Sequence, residues 1–489
     1  MSKNPFDRDG NQPLYRQLAE WLGKLISEGT YETDSRLPSI RQLSEQLSVS
    51  RTTVVYAYRL LEDWGFVEAR SRSGYFVQSV QDRQPRVGAA APPSWDTTPK
   101  LFDVASASDD PTVRMIVAGA NLDVLQLGVA LPNPEFYPTD RLSRLLSRVV
   151  RHQPAVAARY CPSPGFEPLR VQIARRAVAA GVSISPEDVV ITNGACEALF
   201  LSVRAVLGPG MRVAVASPTY YVFLEQLNQC GVIPVEIAAD PQEGMNLDAL
   251  REAHRRKSLD AIFLMPNIAN PTGALMPDAT KEQILAFAGE HGLPIIEDHV
   301  HAELAYSDAR PRSLRAFDNE ADVLWCGSFS KTLAPGFRIG WMVPGVHREK
   351  VAKLKATSSV ASPTPQQMAI AEFLEEGGYD HHLKQLREAF RGAVETMLHL
   401  VDAYFPDQTI AHQPRGGYLL WLELPEGVDS IRLAQQALEH KIGIGPGPMF
   451  SPDGKFQNFI RLNCAVSWTA RTRQSVRRLG ELVEEQLRG

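Results

Sequence analysis

Long apolar runs are missing from this 489-residue sequence, and its first residues, MSKNPFDRDGNQP, are polar. No apolar stretch reaches the roughly 18 residues that a membrane-spanning helix requires. Nothing at the start has the charged, apolar and small-residue regions of a signal peptide. We therefore expect a cytoplasmic protein with no membrane partner.

Cysteine is scarce, and the spacing of its residues excludes two classes of protein. The five cysteines lack any C-x-x-C pair. An odd number without paired spacing matches neither a disulfide framework nor a zinc site. We expect reduced thiols and name no metal ligand. The cysteines are Cys161, Cys196, Cys230, Cys326 and Cys464.

A dominant charge of one sign is also absent. Lys and Arg number 51 against 56 Asp and Glu, so the formal net charge is −5. The composition gives no global sign of nucleic-acid binding, and any basic surface must be local. Between Arg36 and Arg72, six arginines stand against four acids. The length exceeds what one hydrophobic core usually organises, so at least two domains are expected.

Three short helical patterns occupy the first part of the chain. Apolar residues recur at helical spacing from Pro13 to Ser27, which predicts a first amphipathic helix. Ser39 and Gln42 form an S-x-x-Q capping box before a second helix that ends ahead of SVS. Ser50 can cap a third helix. The inward face of that helix is predicted to be Val54, Ala57, Tyr58 and Leu61.

Two short helices joined by a tight turn predict a helix-turn-helix, whose second helix presents its first residues to the major groove. An arginine fork at Arg51 matches the acceptors of guanine, and nearby hydroxyl groups can reach bases or phosphates. The runs GFVEA and GYFV flank polar RSRS and predict a β-hairpin wing. The candidate DNA-binding residues are Arg36, Ser39, Arg41, Arg51, Thr52, Thr53, Tyr56, Arg70 and Arg72.

The helices alone would equally suit a small interaction module whose arginines keep its surface solvated. The sequence SRLPSIRQLSEQLSVSRTTVVYAYRLLEDWGFVEARSRSGYFV, however, resembles the winged helix of the GntR superfamily of bacterial regulators, across nearly all of residues 10 to 78. The resemblance implies binding to double-stranded DNA. We assign residues 1–79 to this domain and the Pro-, Ala-, Ser- and Asp-rich residues 80–112 to a linker.

Beyond the linker, short apolar runs alternate with longer amphipathic segments. The runs are VVIT, RVAVAS, AIFLMP, LPIIED, VLWCGS and RIGWMV. This alternation predicts an α/β domain with a mostly parallel sheet, whose ligands gather beyond the carboxyl ends of the strands. We assign residues 113–489 to it. A large subdomain is expected at about 165–385, and a smaller α+β subdomain from about 113–160 and 390–489.

Chemistry-bearing residues stand at these strand ends. The turn Asn193-Gly194-Ala195-Cys196 leads from a strand into a helix, where backbone N–H groups can close on a phosphate. Each such signal is weak alone, because glycine turns, capping carboxylates and surface lysines are common. The set in chain order is more informative than any member. Its other members are Asn270, Asp298, Ser328, Lys331 and Arg338.

This set matches the needs of pyridoxal 5'-phosphate, which requires an amine to bond to its aldehyde, an acid for its ring nitrogen and donors for its phosphate. Lys331 is the predicted catalytic amine, because desolvation and neighbouring positive charge can lower a lysine pKa. Asp298 is assigned to the ring nitrogen and Asn270 to the 3'-oxygen. The predicted phosphate donors are Ser328, Arg338 and the N–H groups of Ala195 and Cys196.

From about residue 115 onward the sequence resembles fold-type I pyridoxal-phosphate aminotransferases, and the whole chain resembles the MocR subfamily of GntR regulators. In that resemblance Tyr220, in SPTYY, takes the position of the ring-stacking aromatic residue. Tyr160, in YCPSPGFEPLR, matches the tyrosine that crosses to the neighbouring subunit's cofactor phosphate. Arg461, in FIRLN, matches the arginine that grips a substrate carboxylate. The resemblance also implies a head-to-tail homodimer.

One departure from the family pattern concerns the residues after Asp298. Family members commonly carry a tyrosine two or three residues later that donates to the 3'-oxygen, but Val300 and His301 stand there. His301 could donate the same hydrogen bond, or leave the bond between lysine and cofactor with a different pKa. Tyr306 is a more distant candidate. The departure bears on transaminase efficiency and not on cofactor binding.

The predicted function is a DNA-binding transcriptional regulator that binds pyridoxal phosphate and senses an amino compound or the vitamer. One alternative is a working aminotransferase, in which Lys331 also moves a substrate proton and Arg461 fixes the substrate acid. Another is a dimerisation scaffold with no ligand. The sequence leaves open the effector, the operator, and whether DNA binding represses or activates.

Overall fold

The structure of the chain is a computed structural model that describes residues 13–70, 74–78, 123–307, 309–317 and 321–488. The chain divides into two compact units, residues 1–97 and 98–489. The linker predicted at 80–112 and the DNA-binding candidate Arg72 lie outside the described residues. Among the described residues, no helix combines the length and apolar character that crossing a membrane requires.

The N-terminal unit contains three helices followed by a β-hairpin. They are α1 Leu14–Ser27, α2 Ile40–Leu47, α3 Arg51–Asp63, β1 Val67–Arg70 and β2 Gly74–Val77. The two strands pair antiparallel, from Val67 opposite Val77 to Arg70 opposite Gly74. The predicted helix-turn-helix and wing are confirmed.

Local sequence sets the ends of these helices. The Ser39 hydroxyl accepts from the backbone N–H of Gln42, and the Gln42 side chain accepts from the Ser39 N–H at 3.0 Å, which completes the predicted capping box. Ser50 accepts from the N–H of Thr53 at 3.0 Å and caps α3. Burial of each large apolar side chain on the inner face of α3 contributes about 1.5–3 kcal/mol. The predicted inner-face residues Val54, Ala57, Tyr58 and Leu61 are all buried.

The C-terminal unit is an α/β fold. Its helices are α4 Thr139–His152, α5 Pro154–Ala157, α6 Glu167–Ala177, α7 Ala195–Val206, α8 Tyr221–Gln229, α9 Leu247–Lys257, α10 Asp278–Glu290, α11 Arg348–Ser358, α12 Thr364–Glu375, α13 Tyr379–Tyr404, α14 Ser430–Glu439 and α15 Ala470–Arg488. Its strands are β3 Leu125–Gln126, β4 Val190–Thr192, β5 Arg212–Ser217, β6 Ile233–Asp240, β7 Gly244–Met245, β8 Ala261–Leu264, β9 Ile295–Asp298, β10 Val323–Ser328, β11 Gly340–Val343, β12 Ile410–His412, β13 Leu419–Glu423, β14 Ile442–Gly443, β15 Gly445–Pro446 and β16 Phe459–Asn463.

The main sheet of this unit has the strand order β4-β11-β10-β9-β8-β5-β6-β7. The strands from β10 through β9, β8 and β5 to β6 are parallel, whereas β11 runs antiparallel to both of its neighbours. The predicted mostly parallel sheet is therefore confirmed. Because parallel strands end at the same edge, the loops after β8, β9 and β10 open toward one another.

A second sheet, of order β12-β13-β16-β15, is antiparallel and builds the smaller subdomain with α13, α14 and α15. The sequence placed residues 113–160 in this subdomain, and for α4 the structure differs. Leu142, Leu145 and Val149 of α4 pack in the large subdomain's core, together with Ile173 and Trp325. Which core α4 enters depends on contacts distant in the chain.

Candidate functional site

Lys331 lies on the loop directly after β10. This is the carboxyl edge of the sheet, where the sequence predicted that ligands gather. Its Nζ donates to the carbonyl oxygen of Ala130 at 2.5 Å. Burial lowers the pKa of Lys331 to about 8, and the positive charges of Arg461 and Arg338 act in the same direction, against Cys196 and Asp298. At pH 7 roughly a tenth of this amine is therefore neutral, far more than for an exposed lysine.

Asp298 is the last residue of β9 and is 3% exposed. One carboxylate oxygen accepts from the N–H of Val300 at 2.9 Å. Burial raises the pKa of Asp298 to about 6, and the Val300 N–H, His299 and Lys331 oppose that rise. The group is still mostly ionised at neutral pH, so it can hold a proton on a facing ring nitrogen.

Asn270 and Arg461 are brought together although 191 positions separate them in the chain. Asn270 lies on the loop after β8, and its Oδ1 accepts from Nη1 of Arg461 at 2.9 Å. The amide N–H₂ of Asn270 therefore points away from Arg461 and remains as a hydrogen-bond donor. Arg461 is on β16 and also donates through Nη2 to the carbonyl of Gly128.

The guanidinium of Arg461 is fully buried, and its Nε has no hydrogen-bond partner. The Phe450 ring centre lies 4.9 Å from its Cζ. Within the part of the chain that the structure describes, no carboxylate lies within 4.0 Å of it, the distance of an ion pair. A buried cation without a counter-ion is costly, so a carboxylate from outside the chain would find a prepared site.

A cradle of backbone and hydroxyl groups lies at the start of α7. Gly194 caps this helix with a φ of 77°, and the N–H groups of Ala195 and Cys196 open its first turn. Gly340 of β11 passes so close that a Cβ there would lie 2.4 Å from the carbonyl carbon of Gly194. The Arg338 Nη2 donates to the Asn193 carbonyl at 3.0 Å and closes the same corner.

Two serines complete the cradle, and one of them was missed from the sequence. Ser328 Oγ lies 2.9 Å from Ser330 Oγ and 3.1 Å from the Ile339 carbonyl oxygen. Ser330 Oγ is in turn 3.5 Å from Nη1 of Arg338. Ser330 therefore belongs with Ser328 and Arg338. The sequence signal for Ser330 was its position as the second serine of SFSK, directly before Lys331.

His301 and Tyr220 line the same pocket. His301 is 5% exposed, and its Nε2 is buried with no partner. Burial, together with the charges of Lys331 and Arg461, lowers the His301 pKa to about 3, so its imidazole is neutral and has one N–H to donate. Tyr220 is the N-cap of α8, and its hydroxyl lies 3.9 Å from Cys196 Sγ. The more distant candidate, Tyr306, already donates to the Gly417 carbonyl at 2.7 Å.

Tyr160 is not brought into this pocket by its own chain. It lies between α5 and α6 with 83% of its surface exposed. A single exposed aromatic side chain is common on protein surfaces, so the exposure of Tyr160 by itself marks no interface. Its predicted partner is the neighbouring subunit.

The residues present fit pyridoxal phosphate. A half-buried lysine of lowered pKa, a buried carboxylate at a strand end and a helix N-terminus flanked by Arg338 and two serines supply the three kinds of group required. Among the described residues, the buried Nε2 of His301 and Nε of Arg461 have no hydrogen-bond partner. Buried donors in native proteins normally have partners, so this pocket is built for a polar ligand.

In the N-terminal unit, Arg51, Thr52 and Tyr56 are exposed at the start of α3. Thr53 Oγ1 instead lies 2.7 Å from Ser50 Oγ, within the helix cap. Tyr56 packs against Tyr15 of α1, with ring centres 5.8 Å apart. The sequence patterns did not indicate Tyr15 as a neighbour of this surface.

The remaining DNA-binding candidates carry partners within the chain. Arg41 pairs with Glu45 at 2.9 Å, and Arg70 pairs with Asp34 at 2.8 Å. Arg36 lies against Gly74 of the wing, and Ser39 is committed to its capping box. Exposed ion pairs contribute only about 0–1 kcal/mol, so phosphates can displace the acids from Arg41 and Arg70.

Known families match both units. The model for aminotransferase class I and II matches residues 136–479, and the model for bacterial regulatory proteins of the gntR family matches residues 14–77. YdcR of Escherichia coli K12, named an uncharacterized HTH-type transcriptional regulator, is 36% identical over 97% of this chain and 99% of its own length. The chain belongs to this family of two-domain regulators.

This regulator also resembles proteins that consist of the aminotransferase part alone. The 2-aminoadipate transaminase of Thermus thermophilus is 33% identical over 74% of this chain and 90% of that protein. The crystal structure of LysN from Thermus thermophilus, complexed with N-(5'-phosphopyridoxyl)-L-leucine, superposes with a TM-score of 0.71 and 30% identity. The match covers 79% of this regulator and 98% of LysN. The predicted fold-type I domain, joined to a GntR winged helix as in MocR regulators, is confirmed.

Proposed function

We propose that this regulator binds double-stranded DNA through its N-terminal unit, holds pyridoxal phosphate at Lys331, and responds to a small amino acid. The observation that carries the proposal is that two cationic side chains lie close to each other in the site. Lys331 is an amine with a pKa near 8, and Arg461 is a buried guanidinium without a carboxylate. An amino acid fits both, because its amine can replace Lys331 on the cofactor aldehyde and its carboxylate can pair with Arg461.

Each pocket residue has a proposed contact with the cofactor. Bound pyridoxal phosphate supplies an aldehyde and an electron-withdrawing ring. Asp298 would pair with its ring nitrogen, and Tyr220 would stack on the ring. The N–H₂ of Asn270 and the neutral imidazole of His301 would donate to the 3'-oxygen. The proposed phosphate contacts are Ala195, Cys196, Ser328, Ser330 and Arg338, with Tyr160 of a second subunit in a head-to-tail homodimer.

Effector binding would change two contacts of the segment from Gly128 to Ala130, which follows β3. A carboxylate taken up by Arg461 competes with the Gly128 carbonyl, because both are acceptors for the same guanidinium. An amine that replaces Lys331 on the cofactor would free its Nζ to donate to the Ala130 carbonyl, the contact that the free amine makes here. Differential contacts of this kind are what a ligand needs in order to shift a conformational equilibrium.

The test of this function is the DNA affinity of the full-length regulator, measured by fluorescence anisotropy on duplexes that it selects from a random library. We expect one or more amino acids to change the Kd for DNA of the cofactor-loaded protein. Lys331→Ala should retain DNA binding and lose the response. If no amino acid changes the DNA affinity while amino acids alter the cofactor's absorbance, the regulatory proposal is wrong.

A second candidate function is transamination, which the intact pair of Lys331 and Arg461 favours. Lys331 could move a proton between the two carbons that exchange the amino group, and Arg461 would orient the substrate acid. The related transaminase of Thermus thermophilus supports this candidate. Multiple turnover with an amino donor and a keto acid would establish it, because a sensor need complete only the first exchange.

A separate prediction concerns DNA sequence recognition by α3. Arg51→Ala should cost roughly 1–3 kcal/mol of binding and relax specificity at one guanine, because a bidentate arginine contact reads that base. Competition binding against single-base variants of the selected duplex measures this effect. Arg16→Ala is the matched control, since Arg16 is an exposed arginine of α1 paired with Glu20. Equal weakening on every sequence would reassign Arg51 to a phosphate contact.

A further inference from the structure

Tyr379, the first residue of α13, lies between two loops of the cofactor pocket without entering it. Its side chain is 2% exposed, and its hydroxyl lies 2.7 Å from both Glu303 Oε2 and Thr332 Oγ1. A phenol has one proton and a carboxylate only accepts, so Tyr379 donates to Glu303 and is available to Thr332 as an acceptor. One buried hydroxyl therefore links two loops.

These two loops carry residues assigned to the cofactor. Glu303 follows His301 by two positions, and Thr332 directly follows Lys331. The same phenol bonds to both neighbours. The distance between the His301 loop and the Lys331 loop is thereby set by a residue that belongs to neither.

Two further side chains of α13 hold the same loops by their backbones. His382 Nε2 lies 2.7 Å from the Thr332 carbonyl oxygen, and Arg387 Nη1 donates to the Glu303 carbonyl at 3.1 Å. Side chains three positions apart on a helix share a face, so Tyr379 and His382 reach the Lys331 loop together. The N-terminal part of α13 is therefore hydrogen-bonded to both loops.

The charges around Tyr379 keep this link intact. Burial acts to raise the pKa of Glu303, but Arg176 and Arg310 lower it below its usual value, so the carboxylate stays ionised as an acceptor. The Arg176 guanidinium also lies 4.1 Å from the centre of the Tyr379 ring. Hydrogen bonds to a charged acceptor are among the stronger ones in proteins.

The helix that carries the link extends into the smaller subdomain. Tyr379 and Leu383 belong to the large subdomain's core, whereas Val394 and Met397 belong to the core of the smaller one. With 26 residues, α13 is about 39 Å long. A movement of the smaller subdomain would therefore reach the two loops through one continuous helix.

We propose that Tyr379 is a positioning residue that holds the His301 loop against the Lys331 loop and so sets the reactivity of Lys331 toward pyridoxal phosphate. This inference rests on the proposed cofactor function. Tyr379 acts through Glu303 and Thr332, which are not themselves assigned to the cofactor. The charged and titratable groups that face Lys331 itself are Asp298, Cys196, His301, Arg338 and Arg461.

The experiment compares Tyr379→Phe with wild type in the full-length chain, using pyridoxal phosphate as the probe. We expect the Kd for pyridoxal phosphate to rise about tenfold, because a buried donor shared by two loops is lost. The pH midpoint for capture of pyridoxal phosphate should move upward by about one unit, because a looser loop admits water to the amine. Absorbance titration and stopped-flow absorbance give these two quantities.

Two other variants distinguish positioning from general stability. Tyr306→Phe is the matched control, since within the described residues its phenol is bonded to the Gly417 carbonyl and to neither loop's assigned residues, and it should lower thermal stability without moving the pH midpoint. Thr332→Val removes the other partner and should reproduce part of the Tyr379→Phe effect. The double variant Thr332→Val/Tyr379→Phe should be little worse than Tyr379→Phe alone, because the two groups act through one bond.

The outcomes separate this inference from the function on which it rests. A wild-type protein that takes up no pyridoxal phosphate would refute both. If wild type takes it up and Tyr379→Phe keeps the same Kd and pH midpoint, Tyr379 is structural only and the inference alone fails. If Tyr379→Phe does not fold, an unchanged midpoint in Thr332→Val would overturn the inference by itself.

Discussion

Lys331→Ala is expected to abolish the visible absorbance that the wild-type regulator acquires with pyridoxal phosphate. The Lys331 amine supplies the covalent bond to the aldehyde, whereas the remaining contacts hold the cofactor without one. We expect the Kd of Lys331→Ala for pyridoxal phosphate to be at least about 100-fold higher than that of wild type, which corresponds to roughly 2.7 kcal/mol. Absorbance titration of the purified proteins measures both quantities.

The pH dependence of cofactor capture provides a second measure of the same residue. Only the neutral amine attacks an aldehyde, and burial lowers the Lys331 pKa to about 8. The capture rate should therefore rise with pH and level off above about pH 8. An unperturbed lysine would keep gaining rate up to about pH 10.

The control for Lys331→Ala is Lys281, a buried lysine that is not assigned to the cofactor. Lys281 is 1% exposed and bonds to Asp278 and to the Arg312 carbonyl, each at 3.0 Å. Lys281→Ala should lose stability and keep the absorbance band. A band that survives in Lys331→Ala would show that another amine holds the cofactor, and the assignment of Lys331 would be wrong.

Arg461→Gln should leave the cofactor band in place and remove the preference for carboxylates. The buried guanidinium has no counter-ion in the described chain, so an entering carboxylate gains a charge-assisted pair in a dry site. We expect the variant to bind amino acids roughly 100-fold more weakly, about 2.7 kcal/mol. The probes are the common L-amino acids and the amines formed from them by decarboxylation, followed through the change in absorbance.

The paired probes make this prediction specific. Wild type should prefer each effective amino acid over its decarboxylated amine, and Arg461→Gln should lose that preference because the amine has no group for the guanidinium. Arg170→Gln is the control for loss of a buried arginine, since Arg170 donates to the Pro186 carbonyl and to Glu187. Arg461→Gln with undiminished selectivity for amino acids would make Arg461 a structural residue.

Much of this architecture follows from local sequence. The capping box at Ser39 and the stripe of α3 predicted the helices, and the six apolar runs predicted the mostly parallel sheet. The choice of a winged helix over a small interaction module also needed the wing pattern and the resemblance to GntR regulators. Caps and periodicities act over a few residues, so the sequence displays them directly. The positions of Asp298 and Lys331 after buried strands followed from the same periodicity, because parallel strands end at one edge.

Tertiary structure alone decided which partners these residues have. The bond between Arg461 and Asn270, the unpartnered Nε2 of His301 and the double contact of Tyr379 join segments far apart in the chain. The placement of α4 in the large core is of the same kind. An apolar stripe specifies that a helix is buried, but the surface that buries it, and the distance and charge around each polar group, depend on how the whole chain packs.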